Sequence, residues 1–331
     1  MKYYLKEFYA KEKHAGSKAR LDAEKIMIEA GYHPFFQNND SNSITLTEKD
    51  ILVLQFPLLW HSLKALILTK LLRKRQFKAY LLIHDIESLR NRSIKSFQDV
   101  KYAFLHFFQN KTVLERVDGI IAHNAKMKDV LVQLGIPEKK IISLEIFDYL
   151  IPHFEVKKTY EKRTVLVAGN FDIKKAKYAR QLPDNPEFSI FGINFEEENL
   201  PQNVHYKGAF SPEELPYYLE GGFGLVWDGD SPYTCSGMFG EYLKMNNPHK
   251  ASLYLASGFP IIVWRQSALA DFVRKNSCGI LVDSLFEIAD ILDSISNDEY
   301  EELIRNSKKI GDNICNGHYL KTALDKCERK L

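Results

Sequence analysis

The sequence predicts an α/β protein built from two doubly wound parallel sheets. Short apolar runs alternate with segments of helical period along nearly all of its 331 residues, which is typical of parallel β–α units. The alternation stops once, between Phe147 and Arg163, where a proline and a run of charges indicate a linker. We therefore expect two Rossmann-like domains facing each other across a cleft, with ligands bound outside the carboxyl ends of the strands.

In the first half of the chain, the apolar runs have the length of strands and are separated by helical patterns. Apolar residues from Ala19 to Ala30 share one helical face, so a helix is expected to start near Ser17, and Met127 to Leu134 show the same spacing. The expected strands span residues 3–8, 51–56, 79–83, 119–122 and 141–144. This half predicts a first domain over residues 1–155.

The second half shows the same alternation and predicts a second domain over residues 156–315. The expected strands span residues 164–168, 188–191, 204–206, 224–227, 261–264 and 280–282. The expected helices lie near residues 212–220, 248–257, 268–275 and 285–296. A last helix, over residues 316–331, is expected to return to the first domain.

The composition argues against several classes of protein. Lys and Arg number 45 and Asp and Glu 43, so the chain lacks the basic field that nucleic-acid binding uses. Its four cysteines have no CxxC spacing, which favours reduced thiols over disulfides or structural zinc. Residues 1–13 lack the apolar core of a signal peptide, and the best membrane candidate, residues 60–72, is interrupted by Lys64 and Lys70. A cytoplasmic protein is expected.

The segment from Phe223 to Trp264 carries the most informative pattern. A predicted strand ends at Trp227, a loop rich in Gly, Asp and Ser follows, and residues 246–250, Asn-Asn-Pro-His-Lys, open a helix. A helix start presents backbone N–H groups and the positive end of its dipole, which favour a phosphate, and Lys250 adds a full charge. The alternative is that an asparagine merely caps the helix and that Lys250 is a solvated surface residue.

This segment resembles the bacterial β-1,6-galactofuranosyltransferases of O-antigen synthesis in the runs WDGDS, TCSG, NNPHK and SLYL. The likeness continues in LIHDIESLR, IFDYL, AGN and FGINFE, and so covers nearly the whole chain. More distantly, the chain is similar to the accessory glucosyltransferases that extend GlcNAc on streptococcal serine-rich adhesins, which share IHD, GN and GGFGLVW. The resemblance implies the GT-B fold and an inverting hexosyltransferase that uses a UDP-sugar.

The resemblance also implies which residues hold the donor. It places the nucleotide against Pro248, His249, Lys250, Ala251, Ser252 and Leu253. The other expected donor contacts are Asn170, Asn247, Asp228 and Phe210. The relatives carry an arginine after the GN motif, and here Lys174 or Lys175 would take its place without the guanidinium fork. A loop tyrosine of the relatives falls near Phe210, which keeps a stacking surface.

Asp228, Gly229 and Asp230 form the pattern DxD, by which the other major glycosyltransferase fold binds a divalent metal. Here the pattern lies deep in the second Rossmann-like series, where a helix start already neutralises phosphate. We therefore expect no metal and no cofactor besides the UDP-sugar substrate, with Asp228 or Asp230 capping the loop or binding a sugar hydroxyl. A metal site is the alternative.

In the first domain, a predicted buried strand runs directly into the polar residues His84, Asp85 and Glu87. An inverting transferase needs a base to take the proton from the acceptor hydroxyl. Both resembled families keep His-Asp, so Asp85 is the expected base, followed by His84, and a turn-capping Asp85 is the alternative. Gly16 and Ser17, expected in the loop before the first helix, are candidates for contact with the donor phosphate or the acceptor, with a plain N-cap as the alternative.

The substrates and partners follow from the resemblance alone. UDP-galactofuranose is the expected donor, and a lipid-linked oligosaccharide or glycan of a growing O-antigen or capsule is the expected acceptor. UDP-glucose or another UDP-hexose is the alternative donor, and a non-catalytic nucleotide-sugar-binding subunit is a third interpretation.

The sequence also predicts a basic helix face, formed by Lys64, Lys70, Arg73, Lys74, Arg75 and Lys78. This face is either solvated or in peripheral contact with the inner membrane. A homo-oligomer is expected.

Overall fold

The chain forms two compact units in a computed structural model. The structure describes residues 1–7, 15–35, 46–58, 72, 75–86, 89, 112–152 and 160–329. The first unit comprises Met1–Glu12, Ala19–Glu145 and Tyr319–Leu331, and the second comprises Lys13–Lys18 and Ile146–His318.

The described strands of the first unit form one parallel sheet. They are β1 (Lys2–Leu5), β2 (His33–Phe35), β3 (Ile51–Phe56), β4 (Lys78–Ile83), β5 (Gly119–Ala122) and β6 (Ile141–Ser143). Their order is β2-β1-β3-β4-β5-β6, and every pairing is parallel. Its described helices include α1 (Ala15–Glu29) and α2 (Ala125–Gln133). Since helices cover both faces of such a sheet, β3 and most of β4 are buried and almost entirely apolar.

The described strands of the second unit form another parallel sheet. They are β7 (Tyr160–Asn170), β8 (Glu187–Ile193), β9 (Val204–Tyr206), β10 (Gly221–Val226), β11 (Ile261–Trp264) and β12 (Gly279–Val282). Their order is β12-β11-β10-β7-β8-β9. The helices are α3 (Ile173–Ala176), α4 (Leu215–Tyr218), α5 (Gly237–Tyr242), α6 (His249–Ala256), α7 (Leu269–Asn276), α8 (Ile288–Ser294) and α9 (Asn297–Cys315). The core is dense in large rings, since Trp227, Trp264, Phe188 and Phe223 are almost fully buried.

The last helix, α10 (His318–Glu328), packs in the first unit. The hydroxyl of Tyr80 donates to Cys327 O at 2.8 Å, and that of Tyr32 donates to Glu328 Oε1 at 3.0 Å. Two buried tyrosines thus hold the end of the chain against the first sheet.

Each sheet has one position where the strand order reverses. In the second sheet, β7 to β12 follow the order 3-2-1-4-5-6 of the dinucleotide-binding fold, and the reversal lies between β7 and β10. In the first sheet the reversal lies between β1 and β3. Ligands of open parallel sheets bind outside the carboxyl ends of the strands at such switch points.

The predicted fold class is confirmed, and the differences are local. The strand β2 was missed because it has three residues and contains Pro34, which favours a turn. The strand β7 begins at Tyr160, within the predicted linker, because Glu161 and Arg163 are exposed on the alternating face of a strand. The first part of that linker is also buried, including Phe147 and Tyr149. Aperiodic packing of apolar residues leaves no signal in the sequence.

Candidate active site

A candidate anion site lies at the switch point of the second sheet, next to the carboxyl ends of β7 and β10. β7 ends in Gly169 and Asn170, while Trp227 and Asp228 directly follow β10. A Cβ added to Gly192, on the neighbouring strand β8, would overlap the carbonyl of Gly169. The two glycines therefore allow a close approach of two backbones, which accounts for the motifs AGN and FGINFE.

The ammonium group of Lys250 lies at this switch point. Its Nζ donates to Trp227 O and to Asp228 Oδ1, both at 2.9 Å. A Cβ added to Gly169 would lie 4.0 Å from the same Nζ, so the ammonium group is beside the ends of both strands. The side chain of Lys250 is 11% exposed and that of Asp228 is 8% exposed. The alternative of a solvated surface lysine is therefore wrong.

Two cations share this site with one carboxylate. Burial lowers the pKa of Lys250 below its ordinary value, Asp228 opposes that effect, and Lys175 adds to it. Of the two lysines that follow the GN motif, Lys175 is half-buried, whereas Lys174 is exposed. The structure thus brings the charge of Lys175, rather than that of Lys174, to Lys250. An excess of positive charge in a partly buried place suits a phosphate group.

The helix α6 starts beside this charge cluster. Pro248 occupies its N-cap position without a side-chain cap, so the alternative of an asparagine cap is wrong. Three buried polar atoms near the helix start have no hydrogen-bond partner among the described residues: Asn246 Oδ1, His249 Nδ1 and Ser252 Oγ. Buried polar atoms in folded proteins are normally satisfied. These three atoms are therefore candidates for hydrogen bonds to a bound molecule.

His249 is held as a neutral imidazole. Its Nε2 donates to Asp148 O at 3.2 Å, and its ring centroid lies 4.9 Å from that of Tyr149. Burial lowers the pKa of His249 to about 4, and the charge of Lys18 contributes in the same direction. Lys18 Nζ donates to Leu150 O at 2.7 Å. Since Nε2 carries the proton, Nδ1 has a lone pair that can accept a hydrogen bond from a hydroxyl group.

Tyr254 holds α6 over the two strands. Its hydroxyl accepts a hydrogen bond from Ala168 N of β7 at 2.6 Å. Its ring packs on Gly224 of β10, where an added Cβ would overlap the ring. The predicted donor contacts Asn247, Ala251, Ser252 and Leu253 are all buried. Gly224, the third glycine of the GGFGLVW motif, therefore helps to position the helix that carries Lys250.

The two aspartates of the DxD pattern have different surroundings. The carboxylate of Asp228 accepts from Lys250, whereas Asp230 is exposed and its carboxylate lies against Gly237. In the described ranges, no three His, Cys, Asp or Glu side chains come together as a metal cluster. Asp228 thus balances the charge of a buried ammonium group.

The predicted ring and amide contacts lie on neighbouring loops of the second sheet. Phe210 stacks on Tyr218, with ring centroids 4.1 Å apart and an interplanar angle of 20°. Tyr218 is 54% exposed, so a tyrosine is present next to the predicted phenylalanine. Asn170 Oδ1 accepts from Asp172 N at 3.0 Å and from Asn194 Nδ2 at 2.8 Å. Asn170 therefore shapes the turn that follows β7.

A chain of buried polar side chains occupies the switch point of the first sheet. Glu7, just after β1, pairs with Arg20 Nη1 at 2.9 Å. Gln55 of β3 donates to Arg20 O at 3.4 Å, and its Oε1 lies 2.7 Å from Nε2 of His84. Glu7, Arg20 and Gln55 are all buried. The imidazole of His84 is therefore positioned by a network that reaches back to β1.

Asp85 lies beside this network, half-buried after the end of β4. Its backbone N–H and that of His84 both point to Phe56 O, at 3.4 and 2.7 Å. His123 is buried after the end of the adjacent strand β5, and burial lowers its pKa to about 3. Glu87 lies outside the described residues. The structure thus places His84 and Asp85 where the sequence predicted them, at the carboxyl end of a buried strand.

Sequence reasoning missed several residues of both switch points. Gly16 and Ser17 lie in the first turn of α1 rather than in a loop. The helix continues with Lys18 and Arg20, which are buried although both are charged. Charged side chains are mostly exposed, so their types alone predict a solvated face. The one available signal was their position at the start of the helix that follows the predicted first strand.

The predicted basic helix face is only partly described. Of its six members, Arg75 and Lys78 lie in the described ranges. The guanidinium group of Arg75 pairs with the carboxylate of Asp118 and donates to Phe77 O at 3.3 Å, and Lys78 begins β4. Arg75 therefore lies in the loop before β4 and Lys78 in the strand itself, so neither belongs to a helix face. Each helix in the described part of the chain is too short or too polar to cross a bilayer.

Comparisons with known proteins cover nearly the whole chain. Residues 2–146 match the family model "Glucosyltransferase 3-like, N-terminal domain", and residues 165–327 match "Glucosyltransferase 3-like, C-terminal domain". The β-1,6-galactofuranosyltransferase WbbI of Escherichia coli (strain K12) is 34% identical over 346 aligned residues, which cover 98% of this chain and 97% of the relative. Glucosyltransferase 3 of Streptococcus gordonii is 30% identical over 219 residues, 62% of this chain and 60% of the relative.

Solved structures of low sequence identity share the fold. Sucrose-phosphate synthase of Thermosynechococcus elongatus has a TM-score of 0.65 at 14% identity and covers 99% of this chain and 98% of its own. HepE of Anabaena, in complex with UDP and glucose, has a TM-score of 0.58 at 11% identity, with 100% and 99% covered. Both are GT-B enzymes, which confirms the predicted GT-B fold. With both family models matched and a relative that is 34% identical over 97% of its length, the chain belongs to the glucosyltransferase 3-like family of glycosyltransferases.

Proposed function

We propose that this protein is an inverting glycosyltransferase that transfers galactofuranose from UDP-galactofuranose to a saccharide of a growing surface polysaccharide. The observation that carries the proposal is the buried pair of Lys250 and Asp228 at the switch point of the second sheet. The identity of 34% with WbbI over 98% of the chain favours galactofuranose as the transferred sugar.

The second unit supplies the groups for a nucleoside diphosphate. The diphosphate would bind to Lys250 and Lys175 at the start of α6, where the helix dipole adds to their charge. The lone pairs of His249 Nδ1 and Asn246 Oδ1 would accept hydrogen bonds from hydroxyl groups of the ribose or sugar. The fold neighbour HepE binds UDP and UDP-glucose, which supports a UDP-sugar as the ligand.

The first unit supplies the base. Asp85 would take the proton of the acceptor hydroxyl while its oxygen attacks the anomeric carbon from the face opposite UDP. The bond to UDP breaks in the same step, and the negative charge of the departing diphosphate is stabilised by Lys250. A single displacement of this kind inverts the anomeric configuration.

A donor panel tests the proposal. The purified protein would be incubated with an octyl glycoside acceptor and, separately, UDP-galactofuranose, UDP-galactopyranose or UDP-glucose. We expect transfer from UDP-galactofuranose to exceed that from the other two donors, and NMR of the product to show an inverted anomeric centre. Preferred transfer from UDP-glucose would support the alternative, which the family model and the Streptococcus gordonii relative favour. A product that retains configuration would contradict the role of Asp85.

A further inference from the structure

Two exposed aromatic rings lie together on the surface of the second unit. Tyr233 is 67% exposed and Phe286 is 45% exposed. Their ring centroids are 4.8 Å apart with an interplanar angle of 27°, so the two rings are stacked. We call this pair the aromatic platform. Adjacent large rings form a contiguous apolar patch on the surface, and such patches can mark a binding site.

The platform is held in place by its two loops. Pro232 O accepts hydrogen bonds from Leu285 N at 2.8 Å and from Ser284 Oγ at 3.3 Å, which join the loop of Tyr233 to that of Phe286. Within the first loop, the backbone N–H of Tyr233 donates to Ser231 Oγ at 3.1 Å. The rings are thus preorganised, and a ligand that stacks on them loses little of its binding energy to ordering the loops.

The platform lies at the ligand-binding end of the sheet. Its two loops follow β10 and β12, so both leave the carboxyl edge of the sheet. Cys235 accepts a hydrogen bond from the backbone of Asp228, and Asp228 pairs with Lys250. Since Tyr233 is two residues from Cys235, its Cα lies within about 7 Å of the Cα of Cys235. The loop that carries Tyr233 therefore also contacts the proposed donor site.

We propose that the aromatic platform binds a sugar ring of the saccharide acceptor, an inference that rests on the proposed function. The apolar C–H face of a sugar stacks on an aromatic ring, and the hydroxyl groups at its edge need polar partners. Polar groups are present on the same two loops: Asp230 is exposed three residues before Tyr233, and Asp283, three residues before Phe286, is exposed and pairs with Arg265 at 2.8 Å. Two rings are far smaller than the roughly 800 Å² per partner of a stable protein interface, which argues against a second protein chain as the occupant.

The test compares variants that keep or remove the rings. Tyr233→Leu and Phe286→Leu remove them, Tyr233→Phe keeps the ring, and Ile28→Ala, an exposed apolar residue of α1 that is 54% exposed, is the surface control. Calorimetric titration with octyl β-glucoside and octyl β-galactoside measures acceptor binding without turnover. Titration with UDP measures the donor site, and sedimentation measures the oligomeric state.

We expect each leucine variant to weaken binding of the preferred glycoside about five- to tenfold and to raise its KM by a similar factor, with kcat and UDP affinity unchanged. Tyr233→Phe and Ile28→Ala should match the unaltered protein. Unchanged glycoside binding in both leucine variants would overturn the proposal, as would a parallel loss of UDP affinity or a change only in oligomeric state. A protein that binds glycosides through these rings but transfers no sugar would support the platform and contradict the proposed function.

Discussion

Each sheet has a switch point where the strand order reverses, but the two switch points differ in charge. In the first sheet, the buried guanidinium group of Arg20 is neutralised by Glu7, and the network ends in the imidazole of His84. In the second sheet, the charges of Lys250 and Lys175 meet one carboxylate, that of Asp228. The first arrangement suits the removal of a proton, and the second suits a diphosphate.

In both units the fold determines the place of the candidate site, whereas a few residues after the strands determine which chemistry the site can perform. Both sites lie at the carboxyl ends of strands at or next to a reversal of strand order. Substitutions in the first site should therefore change turnover and leave donor binding intact. Substitutions in the second site should change donor binding first.

The largest expected effect is on turnover in Asp85→Asn. This substitution preserves size and removes the basic carboxylate, so we expect kcat to fall about 10²- to 10⁴-fold. The affinity for UDP and the melting temperature should stay near those of the unaltered protein. Asp129→Asn, which removes an exposed carboxylate on α2, is the matched control. If Asp85→Asn keeps more than about a tenth of the activity, the base must be sought at His84.

The next effect is on donor binding in Lys250→Met. Loss of a charged hydrogen bond should weaken UDP binding by about 1.5 to 3 kcal/mol, as calorimetric titration would show. Because the substitution leaves Asp228 buried and unpaired, the double variant Lys250→Met/Asp228→Asn separates lost binding from lost stability. Lys244→Met, which breaks an exposed pair with Glu241, should leave the affinity unaltered. Normal UDP affinity in the double variant would place the diphosphate elsewhere.

A third prediction concerns the helix that carries Lys250. In Gly224→Ala, the added methyl group meets the ring of Tyr254, and such overpacking costs about 1 to 3 kcal/mol. Urea unfolding should show this loss, together with weaker UDP binding. In a double-mutant cycle with Tyr254→Ala, the two losses should be less than additive because the smaller side chain makes room. Strict additivity would mean that the two residues act independently.

A fourth prediction compares the buried histidines next to the two sites. The pKa of His249 is lowered to about 4 and that of His123 to about 3, whereas both should be near 6.5 in the unfolded chain. Below about pH 6.5 the unfolded state therefore binds more protons than the folded state, and stability falls as the pH falls towards these lower values. Urea midpoints at pH 7 and 5 measure this loss. The loss of stability between pH 7 and 5 should be smaller in His249→Asn and in His123→Asn than in the unaltered protein. Equal losses in these three proteins would refute the lowered pKa values of the two histidines.

The smallest expected effect is that of chelation. Lys250 and the start of α6 provide positive charge for the departing diphosphate, and the carboxylate of Asp228 is engaged by Lys250. We therefore expect turnover to be unaltered by EDTA. Loss of activity that Mn²⁺ restores would assign the DxD pattern to a metal site and require a different second site.

The sequence predicts the sheets well because parallel strands covered on both faces form continuous apolar runs, as in β3 and β11. It also predicts where Lys250 and Asp85 lie, since each follows a recognisable strand or helix boundary, and their roles stay predictions. It could not predict the network of Arg20 and Gln55, because the type of a polar residue does not show whether its side chain is buried or exposed. Tyr218 was missed for a similar reason, since it meets Phe210 only after the chain has folded.

The contact of Tyr254 with Gly224 and Ala168 has a consequence for the evolution of the family. The ring of a tyrosine at position 254 leaves no room for a side chain at position 224, and its hydroxyl accepts a hydrogen bond from a backbone N–H group of β7. The two positions should therefore covary among relatives, with any residue larger than glycine at 224 accompanied by a smaller residue at 254. A chimera that exchanges α6 between family members without its partner strand would misplace the lysine, however similar the two helices are in sequence.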